Sequence, residues 1–160
     1  EKLDNSVHII YRNYKNPLNL KILINLRNFC KKKGIKLYLS NNFKLALKLQ
    51  LDGVYLPSFN KSTRYNCFKF KKNFDVIGSA HNVMELNTKI RQQVKSIFIA
   101  PVFKKKINKL GIYGFLKLRS FTNRKLIVLG GVTSEKMNMI NFLNAEGFAA
   151  IDYFQKKRPL

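Results

Sequence analysis

Acidic residues are scarce in this chain. Eight aspartates and glutamates face thirty-one lysines and arginines over 160 residues, for a formal charge of +23. Such a field attracts polyanions, among them nucleic acid, anionic membranes and phosphorylated metabolites. The lysines are spread along the whole chain, however, and Lys, Asn, Ile and Phe, all with A/T-rich codons, are abundant together. A biased genome would account for that spread as well as a functional demand would. Cysteine is scarcer still. Cys30 and Cys67 stand far apart without metal-ligand spacing, which predicts two free thiols in a reducing, cytoplasmic compartment. The two histidines, His8 and His81, are too isolated to suggest zinc. No apolar run reaches the roughly 18 residues that a membrane span needs. Glu1 to Ser6 is polar, unlike the start of a signal peptide. The chain opens without an initiator Met, so it is expected to begin inside a longer natural sequence.

What is present reads as one domain over residues 1–160, with no linker or low-complexity stretch. Nearly half of the residues are apolar, which excludes disorder. Strands are expected at Val7–Tyr11, Ile35–Leu39, Gly53–Leu56, Asp75–Gly78, Ser96–Ala100, Leu126–Leu129 and Phe148–Ile151. Several are near-continuous apolar runs, the pattern of parallel strands covered on both faces.

Amphipathic helices fill the gaps. Asn16 and Pro17 suit an N-cap and first helical position. Leu20, Leu23, Leu26 and Cys30 then recur on one face. Lys31, Lys32 and Lys33 complement the dipole of the last turn, and Gly34 can stop the helix. Val83, Leu86 and Ile90 repeat the pattern, as do Met137, Ile140 and Leu143. Strands and helices in this order build either a doubly wound sheet or an eight-stranded barrel. No G-x-G-x-x-G follows the first strand, which counts against a dinucleotide fold. Seven strands are one short of a barrel, and the missing βα unit is expected before Glu1.

The sharpest local signal is the run Leu126-Ile-Val-Leu-Gly-Gly-Val-Thr-Ser-Glu135. A buried strand ends in Gly130 and Gly131, and Thr133 and Ser134 open a helix. Glycines let a phosphate approach the backbone, and a helix start presents N–H donors. A tight strand-to-helix turn would call for the same two glycines, so both readings stand on the string alone.

Taken together, Ile9-Ile-Tyr-Arg12, Leu39-Ser-Asn-Asn-Phe-Lys-Leu-Ala46, Asp52-Gly-Val-Tyr-Leu56, Ile77-Gly-Ser-Ala-His81, Ile99-Ala-Pro-Val-Phe103 and Val128-Leu-Gly-Gly-Val132 resemble the thiamine phosphate synthase and TenI (thiazole tautomerase) family. They stand in family order at family spacing over nearly the whole chain. The resemblance implies an α/β fold of the (β/α)8 TIM-barrel type. It also implies a transferase activity joining hydroxymethylpyrimidine pyrophosphate to thiazole phosphate with Mg²⁺. On this basis Arg12 and Asn41 are expected to hold substrate phosphate together with Gly130 and Gly131, and Ser79 and His81 to be catalytic. In the tautomerase a histidine at the place of His81 moves the proton.

Three departures from the family pattern stand out. The motif's lysine after Arg12 is matched by Tyr14, with Lys15 one step off. The two magnesium aspartates are replaced by Asn42 and Asn60, and neutral amides are weak magnesium ligands. Of the eight acids, only Asp152 is expected near the C-terminal end of a strand, where barrel chemistry occurs. The threonine-rich loop becomes Lys104-Lys-Lys-Ile-Asn-Lys109, with Asn108 or Lys109 at the place of its lysine. Lys109 could clamp a pyrophosphate without metal, or the loop could be a solvated lysine run.

Three functions follow: an enzyme of thiamine biosynthesis, a catalytically lapsed relative that binds a phosphorylated metabolite, and a polyanion binder driven by charge. Aromatics such as Phe98 and Phe115 fall in strand and helix positions and not in an exposed basic string, which makes nucleic acid the weakest of the three. No membrane partner is expected, and the sequence does not define an oligomeric state.

Overall fold

The computed structural model describes residues 6–14, 16–64, 66, 72–104 and 110–155. Among these, the strands are β1 (Ile9–Tyr11), β2 (Leu37–Ser40), β3 (Gly53–Leu56), β4 (Asp75–Ala80), β5 (Ser96–Ile99), β6 (Lys125–Leu129) and β7 (Gly147–Ala149). The helices are α1 (Leu20–Lys33), α2 (Phe43–Lys48), α3 (Val83–Arg91), α4 (Gly111–Ser120), α5 (Met137–Phe142) and α6 (Asp152–Gln155), with a 3-10 turn at Ser134–Lys136 before α5. The strands form one seven-stranded sheet in sequence order, and every neighbouring pair is parallel. This is the curled, TIM-barrel-like α/β sheet that the strand spacing predicts, with β1 and β7 at its edges.

Alternation divides the core in two. Leu37, Leu39, Val54, Leu56, Ile97, Ile99, Leu126 and Val128 face the helices and pack with Leu23, Leu86, Phe115 and Ile140. Tyr38, Tyr55, Ile77 and Phe98 face the other way and form a separate inner cluster with Ile10, Ile127, Leu129 and Ala149. Phe98 and Phe115 are both buried, so neither offers a face to a base. No helix among the described residues is long and apolar enough to cross a membrane.

Helix α1 starts three residues later than the Asn16–Pro17 signal suggests. Asn19 is the N-cap, with Oδ1 accepting from the Ile22 N–H at 3.1 Å. Pro17 therefore lies in the lead-in, and its fixed φ is not used by the helix. The expected stop holds. Gly34 takes φ 66° and its N–H bonds the carbonyls of the last turn, a conformation that costs a side-chain-bearing residue more.

One inner row explains a glycine. Ile10, Tyr38, Gly53 and Asp75 are register partners across β1 to β4. A Cβ on Gly53 would sit 2.0 Å from the Asp75 carbonyl oxygen and 2.9 Å from the Tyr38 ring. The bare position lets the Tyr38 hydroxyl reach across and donate to Asp75 Oδ2 at 3.2 Å. Lys36 and Lys95 close on the same carboxylate at 3.1 and 2.9 Å. Burial raises the Asp75 carboxyl, and the bonds and charges from Lys95 and Lys36 more than offset it, leaving it below its ordinary value.

Asp75 therefore ties three strands together at their N-terminal ends. A carboxyl lowered in the folded state contributes stability above its unfolded value and loses it as pH falls through the folded one. Asp75→Asn should cost about 1 kcal/mol at neutral pH. In urea melts at a series of pH values the gap from wild type should close in acid; a gap independent of pH would show that the charge is not what matters.

Candidate functional site

Parallel strands all end on the same rim, and the expected site residues are distributed along it. Arg12 follows β1, Asn41 and Asn42 follow β2, Asn60 follows β3, Ser79 and His81 close β4, and Gly130 and Gly131 follow β6. Lys15, Asn108 and Lys109 lie outside the described residues.

Arg12, Ser79 and a third residue converge. Tyr55 is buried at the C-terminal end of β3, and the Ser79 hydroxyl and the Arg12 guanidinium both act on its phenol. Burial pushes this phenol above its ordinary value, against the pull of Ser79 and Arg12. The Arg12 guanidinium also stacks over the Tyr14 ring, 4.8 Å from its centroid, while the Tyr14 hydroxyl meets Ser40 Oγ at 2.6 Å. Tyr14, standing where the family pattern has lysine, thus supplies a ring and a hydroxyl in place of a charge. Sequence reasoning did not single out Tyr55. Its signal was the period of two in β3, which turns a polar-tipped aromatic inward among apolar neighbours.

His81 sits just past β4 with a carboxylate partner. Its Nδ1 lies 2.9 Å from Glu85 Oε2, and its backbone N–H donates to the same oxygen at 2.6 Å. A carboxylate accepts only, so Nδ1 carries a proton towards Glu85, and Nε2 is the ring nitrogen outside this bond. The helix cap itself is Asn82, whose Oδ1 accepts from the Glu85 N–H at 2.9 Å. Glu85 therefore joins Asp152 on the C-terminal rim, which corrects the expectation that Asp152 alone lies there. Position in the first turn of a helix that follows a strand brings Glu85 back to the strand end. Asp152 opens α6 directly after β7.

At Gly130 and Gly131, φ is 95° and 73°. The turn is also pressed against the loop after β5. Phe103 N–H donates to the Gly130 carbonyl at 2.9 Å, and Val102 N–H to that of Leu129 at 3.1 Å. A Cβ on Gly131 would meet Lys104 N at 2.5 Å. Lys136 Nζ donates to the Gly131 carbonyl at 3.1 Å. Packing alone therefore demands glycine here, and loss of binding in a Gly131→Val variant would not distinguish a phosphate site from a turn.

The asparagines at the metal positions are engaged by their oxygens. Asn42 Oδ1 caps α2 by accepting from the Leu45 N–H at 3.1 Å. Asn41, with φ 57°, accepts from Asn60 Nδ2 at 2.6 Å. Asn60 Oδ1 accepts from the Ser62 N–H at 2.9 Å. A divalent cation needs free oxygen ligands, so this donor set does not fit magnesium. No group of three or more metal-ligating His, Cys, Asp or Glu occurs among the described residues.

Behind Asn60 lies Lys89, which is fully buried. It occupies the core-facing stripe of α3, three residues after Leu86, a place where lysine is out of pattern. Its stem passes over Gly78, where a Cβ would meet Lys89 Cδ at 2.8 Å. Nζ donates to the carbonyls of Pro57 and Asn60, each at 2.8 Å, and to Gln92 Oε1 at 2.9 Å. Burial pushes its pKa down to about 8, against the charge of Glu85.

The geometry defines a class: a parallel β/α barrel-type protein whose C-terminal rim carries an arginine, a tyrosine–serine pair and a histidine–glutamate pair. The family described as thiamine monophosphate synthase (TMP-TENI) matches residues 4–154, and the chain belongs to that family. A protein named as a second thiamine-phosphate synthase in Aquifex aeolicus is 28% identical over 84% of this chain and 74% of its own length. The thiamine-phosphate synthase of Prochlorococcus marinus is 27% identical over 91% of this chain, which spans only 42% of that relative. The solved thiamine phosphate pyrophosphorylase of Pyrococcus furiosus superposes with a TM-score of 0.70 at 17% identity, covering 82% of this chain and 65% of that one. A pyrophosphorylase from Bacteroides thetaiotaomicron follows at 0.65 and 16%, over 95% of this chain and 73% of that one.

Lys89 makes a prediction about stability. Between about pH 8, where it deprotonates in the fold, and about 10.4, where it does so in the unfolded chain, the unfolded state binds more protons. Rising pH then favours the fold, by on the order of 2 kcal/mol over that window. The stability of wild type relative to Lys89→Met should accordingly increase from pH 8 to 10. Parallel pH profiles for the two proteins would contradict a buried, perturbed ammonium.

Proposed function

We propose that this protein acts in thiamine biosynthesis by handling a phosphorylated thiazole at the C-terminal rim, with His81 as the proton carrier. The convergence of Arg12, Tyr55 and Ser79 beside the His81–Glu85 pair carries this reading. Arg12 supplies a fixed positive charge and a planar set of donors suited to phosphate oxygens. Ser79 and Tyr55 orient that charge from the side of the sheet. With Nε2 unprotonated, the imidazole can take a proton from the substrate there and return it at the new position, while Glu85 stabilises the imidazolium in between. The turn at Gly130 and Gly131 is the place proposed for the substrate phosphate, and the family membership supports it.

Condensation to thiamine phosphate is the second reading, favoured by Arg12 at the family's pyrophosphate position. No step of either reading passes through a metal.

The assay follows isomerisation of the thiazole carboxylate phosphate and, separately, thiamine phosphate formation from both halves, each with Mg²⁺ and with chelator. His81→Asn should lower isomerisation by about a hundredfold or more. Glu85→Gln keeps the backbone cap but removes the charge, and should lower it by about tenfold. Full activity in His81→Asn would overturn the assignment. Phosphate binding without any turnover would leave a binding protein.

A further inference from the structure

Lys89 has three N–H donors, and all three are used on neutral oxygens. None of its acceptors is a carboxylate, so a positive charge stays fixed beneath the loop after β3. Such a cation faces Gln92 only through an oxygen, because it has nothing to accept with. The Gln92 amide is thereby oriented: Oε1 towards Lys89, Nε2 towards the loop. Nε2 donates to the Ser62 carbonyl at 2.8 Å and the Asn60 carbonyl at 3.0 Å, and lies 3.3 Å from Asn60 Oδ1.

Orientation passes on from there. Asn60 Oδ1 lies against Gln92 Nε2 and the Ser62 N–H, both donors, so Asn60 Nδ2 must face outwards to Asn41. Asn41 then receives that bond on Oδ1, which leaves its own Nδ2 as the group it can offer a ligand. Each amide assignment is set by a partner that can only donate or only accept, so none can be flipped alone.

We infer that Lys89 and Gln92 are positioning residues that set the polarity of the Asn41–Asn60 pair, so that this part of the rim receives an uncomplexed phosphoryl oxygen and turns a divalent cation away. The inference rests on the rim being a phosphate-binding site, as proposed above. It deepens that reading, because it assigns the anion's charge compensation to the protein and not to a bound ion. The oxygens that a cation would need are spent on N–H groups, and a buried ammonium stands behind them. An anion meets the opposite: N–H donors backed by positive charge.

The test uses the whole chain, with the side-chain amide resonances of Asn41 and Asn60 as reporters and Mn²⁺ or inorganic pyrophosphate as probes. In wild type, pyrophosphate in the presence of chelator should shift both amides, and millimolar Mn²⁺ alone should leave them sharp. Gln92→Glu keeps the side-chain size and its contact to Lys89 but cannot donate to the loop. It should weaken pyrophosphate by about tenfold or more and admit Mn²⁺, seen as broadening of the same amides. Lys89→Met should act in the same direction; should it fail to fold, wild type and Gln92→Glu decide the matter. Broadening of the wild-type amides by Mn²⁺, or equal pyrophosphate affinity in wild type and Gln92→Glu, would overturn the inference. The backbone amides of Gly131 and Val132, titrated with thiazole phosphate, report separately on the underlying phosphate site. If they do not respond while the Asn amides do, the proposed function fails and the polarity stands.

Discussion

Parallel pairing of each strand with its neighbour in sequence is the constraint on which the rest depends. Once β1 to β7 run the same way, every strand must end on one rim and every crossover must return to the other. The chain thereby separates two kinds of polar chemistry. The N-terminal side holds Asp75 with its two lysines, an ion-paired cluster that ties strands together. The C-terminal side holds Arg12 and the His81–Glu85 pair, which reach solvent, over the buried Tyr55 and Ser79. Alternation of side chains within the strands then decides which residues meet, and Tyr55 meets Arg12 and Ser79 because all three point inward.

Much of the scaffold was legible from apolar runs. Gly53–Leu56 was delimited to the residue, and the remaining strands were placed within a few residues of their observed ends. Those runs work because both faces of each strand are covered, so burial marks the strand itself. Boundaries were less legible at α1, where Asn19 outcompeted Asn16 as cap. Both are asparagines, and which one caps depends on where β1 releases the chain, a tertiary fact.

The rim was legible only in part, and for a physical reason. Sequence spacing gives the strand end on which a residue falls, but not what its side chain bonds. Asn42 and Asn60 could be read as poor magnesium ligands by their chemistry, yet the bonds around Asn60 depend on Lys89 and Gln92, which stand some thirty residues away from it. Glu85 was a nearer miss, since it stands four residues after His81 in the first turn of the helix that leaves β4. Lys89 left one trace in the sequence, a lysine in an otherwise apolar helical stripe.

In the function proposed here, protein groups alone compensate the charge of a phosphorylated substrate. The buried ammonium, the oriented amides and the stacked guanidinium are all set in place before any ligand arrives, which spares the cost of reorganisation when charge develops. The most direct measurement is a crystal structure of the protein soaked with thiazole phosphate and pyrophosphate in chelator. The account predicts anion density at the C-terminal rim, with oxygens in hydrogen-bonding range of Arg12 and Asn41 Nδ2. Density for the anion at the N-terminal side, or binding at the rim that appears only when magnesium is restored, would contradict it.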